Sequence, residues 1–269
     1  MNTHTQKFLH QLNNHFYRAH GVSFADTRGA PWQGWQRCVE VLAADGAFAS
    51  QATPYSVLDL ACGNKRFETF LEEALPEFNI KYYGVDNSSE MAGDERFQDF
   101  DVLGQLMVDG ADLQDVSKHI DAPACDLSVS FGFMHHIPSQ KLRRSVIDLM
   151  LEKAKSGGYL VISFWQFLRS EELAAKAEIT HAQGLRDLAA SHDKKGLASA
   201  GLHEALEVGD YFLGWQGRDG AYRYCHSFAQ EEIDELLEAV ADRAELISRF
   251  DADGRTSNLN AYTILRKSE

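Results

Sequence analysis

Basic residues are in deficit in this chain. Of 269 residues, 26 are Lys or Arg against 40 Asp or Glu, a net charge of −14 at pH 7. A protein that grips a DNA backbone along its length needs the opposite balance, so no DNA partner is expected. An RNA partner survives this test, because local basic patches or a second subunit can supply the grip. Long apolar runs are also missing. Nowhere do about 18 apolar residues follow one another, so no membrane-spanning helix is expected. The start, "MNTHTQKFLHQLNN", lacks the basic-then-apolar layout of a secretion signal. Cys38, Cys62, Cys125 and Cys225 are scattered, with no CxxC pair and no metal-ligand spacing. Free thiols in a reducing cytoplasm are the expectation, with no metal site. Five prolines argue against a disordered or linker-rich chain.

What is present is apolar patterning. With 44% hydrophobic and 11% aromatic residues, the chain can bury a substantial core. Phe8, Leu9, Leu12 and Phe16 recur at helical spacing within residues 1–20. "SFADTRGAPWQGW" reads as a loop, and a second helix begins near Trp32 and ends before "ADG" at 44–46. From Ser56 strands and helices alternate: "SVLDLA", "IKYYGVD", the weaker "RFQDFDVL", then "DLSVSFGF" and "YLVISFW". A helix capped by Ser139 runs through Leu142, Val146, Leu149 and Met150 to a stop at Gly157–Gly158. The last part, "AELISRFDADGRTSNLNAYTILRK", reads as two strands joined through Asp253–Gly254. Strands separated by helices predict an α/β fold, a doubly wound, mostly parallel sheet with an antiparallel C-terminal hairpin. Residues 1–50 form a helical extension, 51–166 and 222–269 the sheet domain, and 167–221 a helical insertion read as a lid.

The first strand-to-helix turn, "VLDLACGNKRF" at 57–67, is short of glycine. A dinucleotide turn needs G-x-G-x-x-G so that backbone can approach a pyrophosphate; aligned on Gly63, two of the three glycines are missing. A Walker A loop is absent. A cationic nucleoside without phosphates suits the acids here better. In S-adenosylmethionine the tail ammonium would meet Asp59, the ribose hydroxyls Asp86 and the adenine amino group Asp101. Ala61, Gly63, Asn87, Val102 and Phe131 complete the expected cofactor set, with Phe131 and Gly132 against the adenine. Acids at strand ends also cap helices, and that alternative stands beside the first.

Residues 50–165 resemble class I methyltransferases, whose first motif D-x-G-x-G-x-G is matched by Asp59 and Gly63 and departed from at Ala61 and Lys65. "FADTRGAPW", "FGFMHHIPS", "SFWQF" and "YRYCHSF" follow in one order. Together they resemble the methyltransferases that esterify carboxymethyluridine at the tRNA wobble position. The resemblance implies S-adenosylmethionine as cofactor, a tRNA carboxylate as acceptor, a small activating subunit as a possible partner, and Arg28 at the active site.

Methyl transfer from a sulfonium is an in-line displacement. A carboxylate with pKa near 4 is ionised at pH 7 and needs an anchor rather than a base. The candidates are anchors. Arg28 offers a planar fork; His135 and His136 follow the fourth strand, where one can donate to the acceptor while the other packs. A structural role for both, or metal ligation without an evident third ligand, is the competing reading. Trp32, Trp35, Trp165 and Trp215 can stack a base or fill the core. Tyr222, Arg223 and His226 form an expected second acceptor wall. Two rivals remain: a small-molecule methyltransferase with a closing lid, and a non-catalytic methyltransferase-like subunit.

Overall fold

The computed structural model describes residues 1–27, 29–49, 54–88, 97–192 and 199–269. Two helices, α1 (Thr3–Asp26) and α2 (Gln33–Ala44), precede β1 (Tyr55–Leu60), α3 (Arg66–Ala74), β2 (Ile80–Asp86) and the two-residue β3 (Gln98–Asp99). Then come α4 (Val102–Leu106), α5 (Leu113–His119), β4 (Cys125–Ser130), α6 (Gln140–Lys153) and β5 (Ala154–Trp165). The next segment holds α7 (Glu171–His192), α8 (Ser199–Ala205), β6 (Asp210–Gly214) and β7 (Tyr222–His226). The last elements are α9 (Gln230–Glu238), β8 (Ala244–Ala252) and β9 (Asn260–Lys267). The main sheet runs β3-β2-β1-β4-β5-β9-β8, parallel from β3 to β5, with β9 antiparallel to both of its neighbours. Strand order reverses between β1 and β4, which puts the ligand crevice at their carboxyl ends.

Both faces of β1 are buried, as expected of a central parallel strand. Leu58 and Leu60 join a layer with α4, α5, α6 and α9, while Val57 packs on the other face against α2 and α3. Side chains alternate across a strand, so "SVLDLA" can feed both layers because its apolar residues fall on both faces, Val57 on one and Leu58 and Leu60 on the other. Ser139 caps α6 as its sequence predicts, accepting from the Leu142 amide. Among the described residues no helix is long and apolar enough to cross a membrane.

Three local expectations change. Helix α1 runs past residue 20 to Asp26, because Phe24 continues the Phe16 stripe two turns on; the two rings meet edge-on at 6.2 Å. Helix α6 ends at Lys153, and Gly157–Gly158 lie inside β5 where its register with β4 shifts. A side chain on Gly158 would meet three carbonyl oxygens at 3.0–3.2 Å, so these glycines serve a bulge rather than a helix stop. The insertion is not wholly helical. Its β6 pairs with Tyr222–His226 in a separate antiparallel ribbon, rather than leaving that segment to the main sheet.

A buried ionic network pins that ribbon to the sheet. Arg143 on α6 is fully buried and donates to Glu232 (2.7 Å), Glu207 (3.2 Å) and the Tyr224 hydroxyl (3.1 Å). His226 lies between Asp210 (2.7 Å) and Glu232 (2.6 Å). Removing one member of such a network strands its partners in low dielectric.

Candidate active site

A cavity of about 550 Å³ opens at the carboxyl ends of β1, β2 and β4, with α1 and residues 29–33 over it. Its size suits a small-molecule ligand. The turn after β1 forms one wall. Ala61, Gly63 and Lys65 have φ of 64°, 52° and 56°, three left-handed residues in alternation. The backbone path of a three-glycine turn is therefore kept with one glycine, and each side chain held there costs about 1 kcal/mol. The Ala61 and Cys62 amides both donate to the Val85 carbonyl, at 2.8 and 3.1 Å, which fastens the turn to β2.

Asp59 is 3% exposed, and the Tyr82 hydroxyl donates to its Oδ2. Its Oδ1 is buried and has no hydrogen-bond partner among the described residues. Burial pushes the carboxyl up to about 8 against the pull of Tyr82, with Asp86 and Glu68 adding to the rise. Such an atom calls for a cationic donor from a ligand. Asp86 accepts from the Gly63 and Ser88 amides, each at 2.8 Å; burial nonetheless raises its pKa. With the Asn87 amide as a third backbone donor, the carboxylate still has acceptor capacity for a hydroxyl.

Asp101 lines the same cavity but is largely engaged within the fold. It accepts from His10 Nε2 at 2.7 Å and caps α4 through the Gly104 amide at 2.9 Å. Burial works against its ionisation, but His10, Gly104 and Asn87 outweigh it and hold the carboxyl below the usual range. Asn87 donates to Asn14 (3.0 Å), so α1 closes the slot from above. Val102 and Phe131 form apolar wall, with Phe131 edge-on to Phe67 at 4.7 Å. Gly132, φ 71°, leaves room for Trp32, which a side chain there would meet at 3.1 Å.

His135 and His136 both line the cavity and are buried. His136 Nδ1 lies 3.0 Å from the Tyr224 carbonyl and 3.3 Å from Asn13 Nδ2, and its Nε2 lies 2.7 Å from the Tyr17 hydroxyl. His135 packs on Trp165 at 4.9 Å. Cys225 is a third neighbour that sequence spacing did not reveal: one donor atom from each of the three lies within 4.8 Å of the others, near enough to consider a metal ion. As the fold stands, both nitrogens of His136 are taken by protein groups.

Of the expected acceptor wall, Trp32, Trp165 and Arg223 reach the cavity, whereas Tyr222 and His226 do not line it. The cause is the two-residue period of β7, which turns residue 223 one way and residues 222, 224 and 226 the other. Tyr222 donates to Asp187 at 2.6 Å, and His226 belongs to the ionic network. Arg223 is buried, and among the described residues its Nε and Nη1 make no hydrogen bond. Its guanidinium sits 4.9 Å from the Phe24 ring centre, 5.4 Å from Phe16 and 5.8 Å from Trp215. Trp35 is core, and Trp215 packs behind Arg223. Arg28 lies outside the described residues.

The sequence reading missed His10, Asn14 and Tyr17, which α1 brings to the cavity, and Arg66 and Asp253. Asp253, φ 66°, accepts from the Gly34 amide, Asn260 and Tyr262, and so ties the β8–β9 connection to α2. Arg66, the first residue of α3, donates to the Ala30 carbonyl at 3.0 Å and lies over Trp35 and Trp32.

A family model described as a methyltransferase domain matches residues 33–240. A tRNA (carboxymethyluridine(34)-5-O)-methyltransferase of Mus musculus is 24% identical over 163 residues, 60% of this chain and 20% of that protein. This chain thus spans about a fifth of the length of that curated relative. Among solved structures, a SAM-dependent methyltransferase of Methanosarcina mazei superposes with a TM-score of 0.53 at 16% identity, covering 80% of this chain and 93% of the other. The 1,6-didemethyltoxoflavin-N1-methyltransferase of Burkholderia thailandensis, solved with S-adenosylhomocysteine, gives 0.53 at 15% identity over 95% and 89%. These two share the fold.

Proposed function

Because the chain belongs to the methyltransferase domain family, we propose that it transfers the methyl group of S-adenosylmethionine to a carboxylate. S-adenosylmethionine supplies an electrophilic methyl on a sulfonium. The residues fit that cofactor: the unpartnered, buried Oδ1 of Asp59 suits the tail ammonium, and Asp86 retains lone pairs for the ribose hydroxyls.

Arg223 is the observation that carries the acceptor. A buried guanidinium with two unpartnered N–H groups on the cavity wall gains most from an anion. A carboxylate needs no proton removed, so this acceptor asks for an anchor and not a base. Arg223 orients the acceptor, and alignment of that kind supplies roughly 7–11 kcal/mol to bimolecular reactions. The negative charge is consumed as the ester forms, so Arg223 loses its ion pair with the product and favours its release.

The acceptor we favour is the carboxymethyl group of a tRNA wobble uridine, on the strength of the four sequence motifs and the name of the mouse relative. A small-molecule carboxylate is the second reading, favoured by the net charge of −14. Purified protein is incubated with methyl-labelled donor and tRNA bearing carboxymethyluridine, in parallel with small carboxylic acids. Alkali-labile label on the tRNA is expected; label on the small acids alone refutes the tRNA acceptor, and alkali-stable label refutes the ester.

A further inference from the structure

The histidine pair that follows β4 offers two metal ligands, and the β6–β7 ribbon brings a third. We propose that His135, His136 and Cys225 bind one zinc ion, with a fourth position open toward the cavity. The site is independent of the cofactor and acceptor readings above.

Two imidazoles and a thiolate suit zinc, whereas magnesium and calcium take oxygen ligands. One donor atom from each of the three residues lies within 4.8 Å of the others, and all three residues are buried. Around a tetrahedral zinc ion, bonds of about 2.0–2.1 Å to nitrogen and 2.3 Å to sulfur set the ligand atoms roughly 3.3–3.6 Å apart. His136 Nδ1 and Cys225 Sγ stand 3.8 Å apart, so closing the site asks about 1 Å of the side chains. The local fold explains the meeting. His135 and His136 are neighbours on a single 3₁₀ turn, Met134–His136, with ring centres 4.1 Å apart. Cys225 is on β7, where a period of two puts it on the same face as Arg223. Zinc on His136 Nδ1 leaves the ring proton on Nε2, which then donates to the Tyr17 hydroxyl at 2.7 Å; metal-bound histidines are commonly oriented by such an outer partner. The Tyr224 carbonyl, 3.0 Å from Nδ1, keeps the Asn13 side-chain amide at 3.1 Å when the imidazole turns to the metal. The Cys225 thiol gives its proton to solvent as the sulfur–zinc bond forms. Both histidines line the cavity, which gives the ion its entry path and a place for water in the fourth position.

The test uses the untagged full chain, stripped of metal and kept reduced. Cobalt(II), whose absorption reports its ligands, is titrated in and then displaced with zinc. One equivalent of cobalt should give the intense visible bands of a four-coordinate ion together with a sulfur-to-cobalt charge-transfer band, and zinc should bleach both. Cys225→Ser should abolish the charge-transfer band and weaken zinc at least about 100-fold; His135→Gln should keep the band and weaken zinc at least about tenfold. Cys62→Ser, at the cysteine that lines the cavity, should leave the band in place. X-ray absorption at the zinc edge of the wild type needs no variant and should count one sulfur and two imidazole nitrogens. The site is overturned by a wild type without the charge-transfer band, by a band that survives Cys225→Ser or vanishes in Cys62→Ser, by a zinc affinity unmoved in His135→Gln, or by a zinc shell of oxygens alone.

Discussion

Cofactor affinity should depend steeply on pH, and Asp59 is the reason. Its carboxyl, buried beneath the turn, is pushed up to about 8 from an ordinary 3.8. At pH 6 the ligand-free site therefore holds a proton, whereas pairing with the tail ammonium requires the carboxylate. Binding then expels that proton. Affinity for S-adenosylhomocysteine should rise about tenfold per pH unit from 6 to 7 and level off above about 8. Calorimetry at pH 7 in two buffers of different ionisation enthalpy should report the release of close to one proton. The same shift has a sign for stability. Between about pH 4 and 8 the folded chain keeps a proton that the unfolded chain has lost, so this residue's contribution to stability falls as pH rises, by about 1.4 kcal/mol per unit. Asp59→Asn, which keeps an acceptor for Tyr82 and carries no charge, should then be more stable than wild type at pH 7, by up to roughly 4 kcal/mol. It should also lose the pH dependence of binding along with most of the affinity. An affinity flat from pH 6 to 8, with no buffer dependence, would refute the reasoning, because it would mean that Asp59 is already ionised or that the ammonium binds elsewhere.

Three further outcomes are expected. Ala61→Gly relieves a left-handed alanine and should stabilise the chain by about 0.5–1 kcal/mol in urea unfolding, after the entropy cost of glycine. Arg223→Met should raise the acceptor KM at least about 30-fold while leaving the dissociation constant of S-adenosylhomocysteine within about twofold; equal losses in both would contradict its assignment to the acceptor. His226→Ala takes one partner each from Asp210 and Glu232, which keep Arg143, and should cost about 1–3 kcal/mol of stability in chemical denaturation, whereas a residue touching the acceptor would show its loss in KM.

Much of the sheet could be read from the sequence because buried parallel strands write themselves as short apolar runs. "SVLDLA", "IKYYGVD" and "YLVISFW" each became a strand with an acid or a tryptophan at the carboxyl end, and Asp59, Asp86 and Trp165 came to the cavity with them. What stayed hidden depended on partners distant in sequence. "DYFLG" is an ordinary stretch until "YRYCH" pairs with it. Tyr222 and His226 were placed with Arg223 by adjacency, although a strand's period of two separates them. Arg66 went unnoticed because the turn was searched for glycines, and its cationic exit was passed over. His10, Asn14 and Tyr17 recur along a helix whose polar face has no local signal of what it will cover.

One helix, α1, touches both halves of the cavity: His10 and Asn14 meet Asp101 and Asn87 at one end, Tyr17 and Phe24 meet His136 and Arg223 at the other. The two ends of the cavity thus share a rigid rafter. A bulky fusion or a proline within the first 26 residues, by tilting it, should loosen the grip on both ligands in equal measure, so a tag placed at the other terminus is the sounder choice for any binding work.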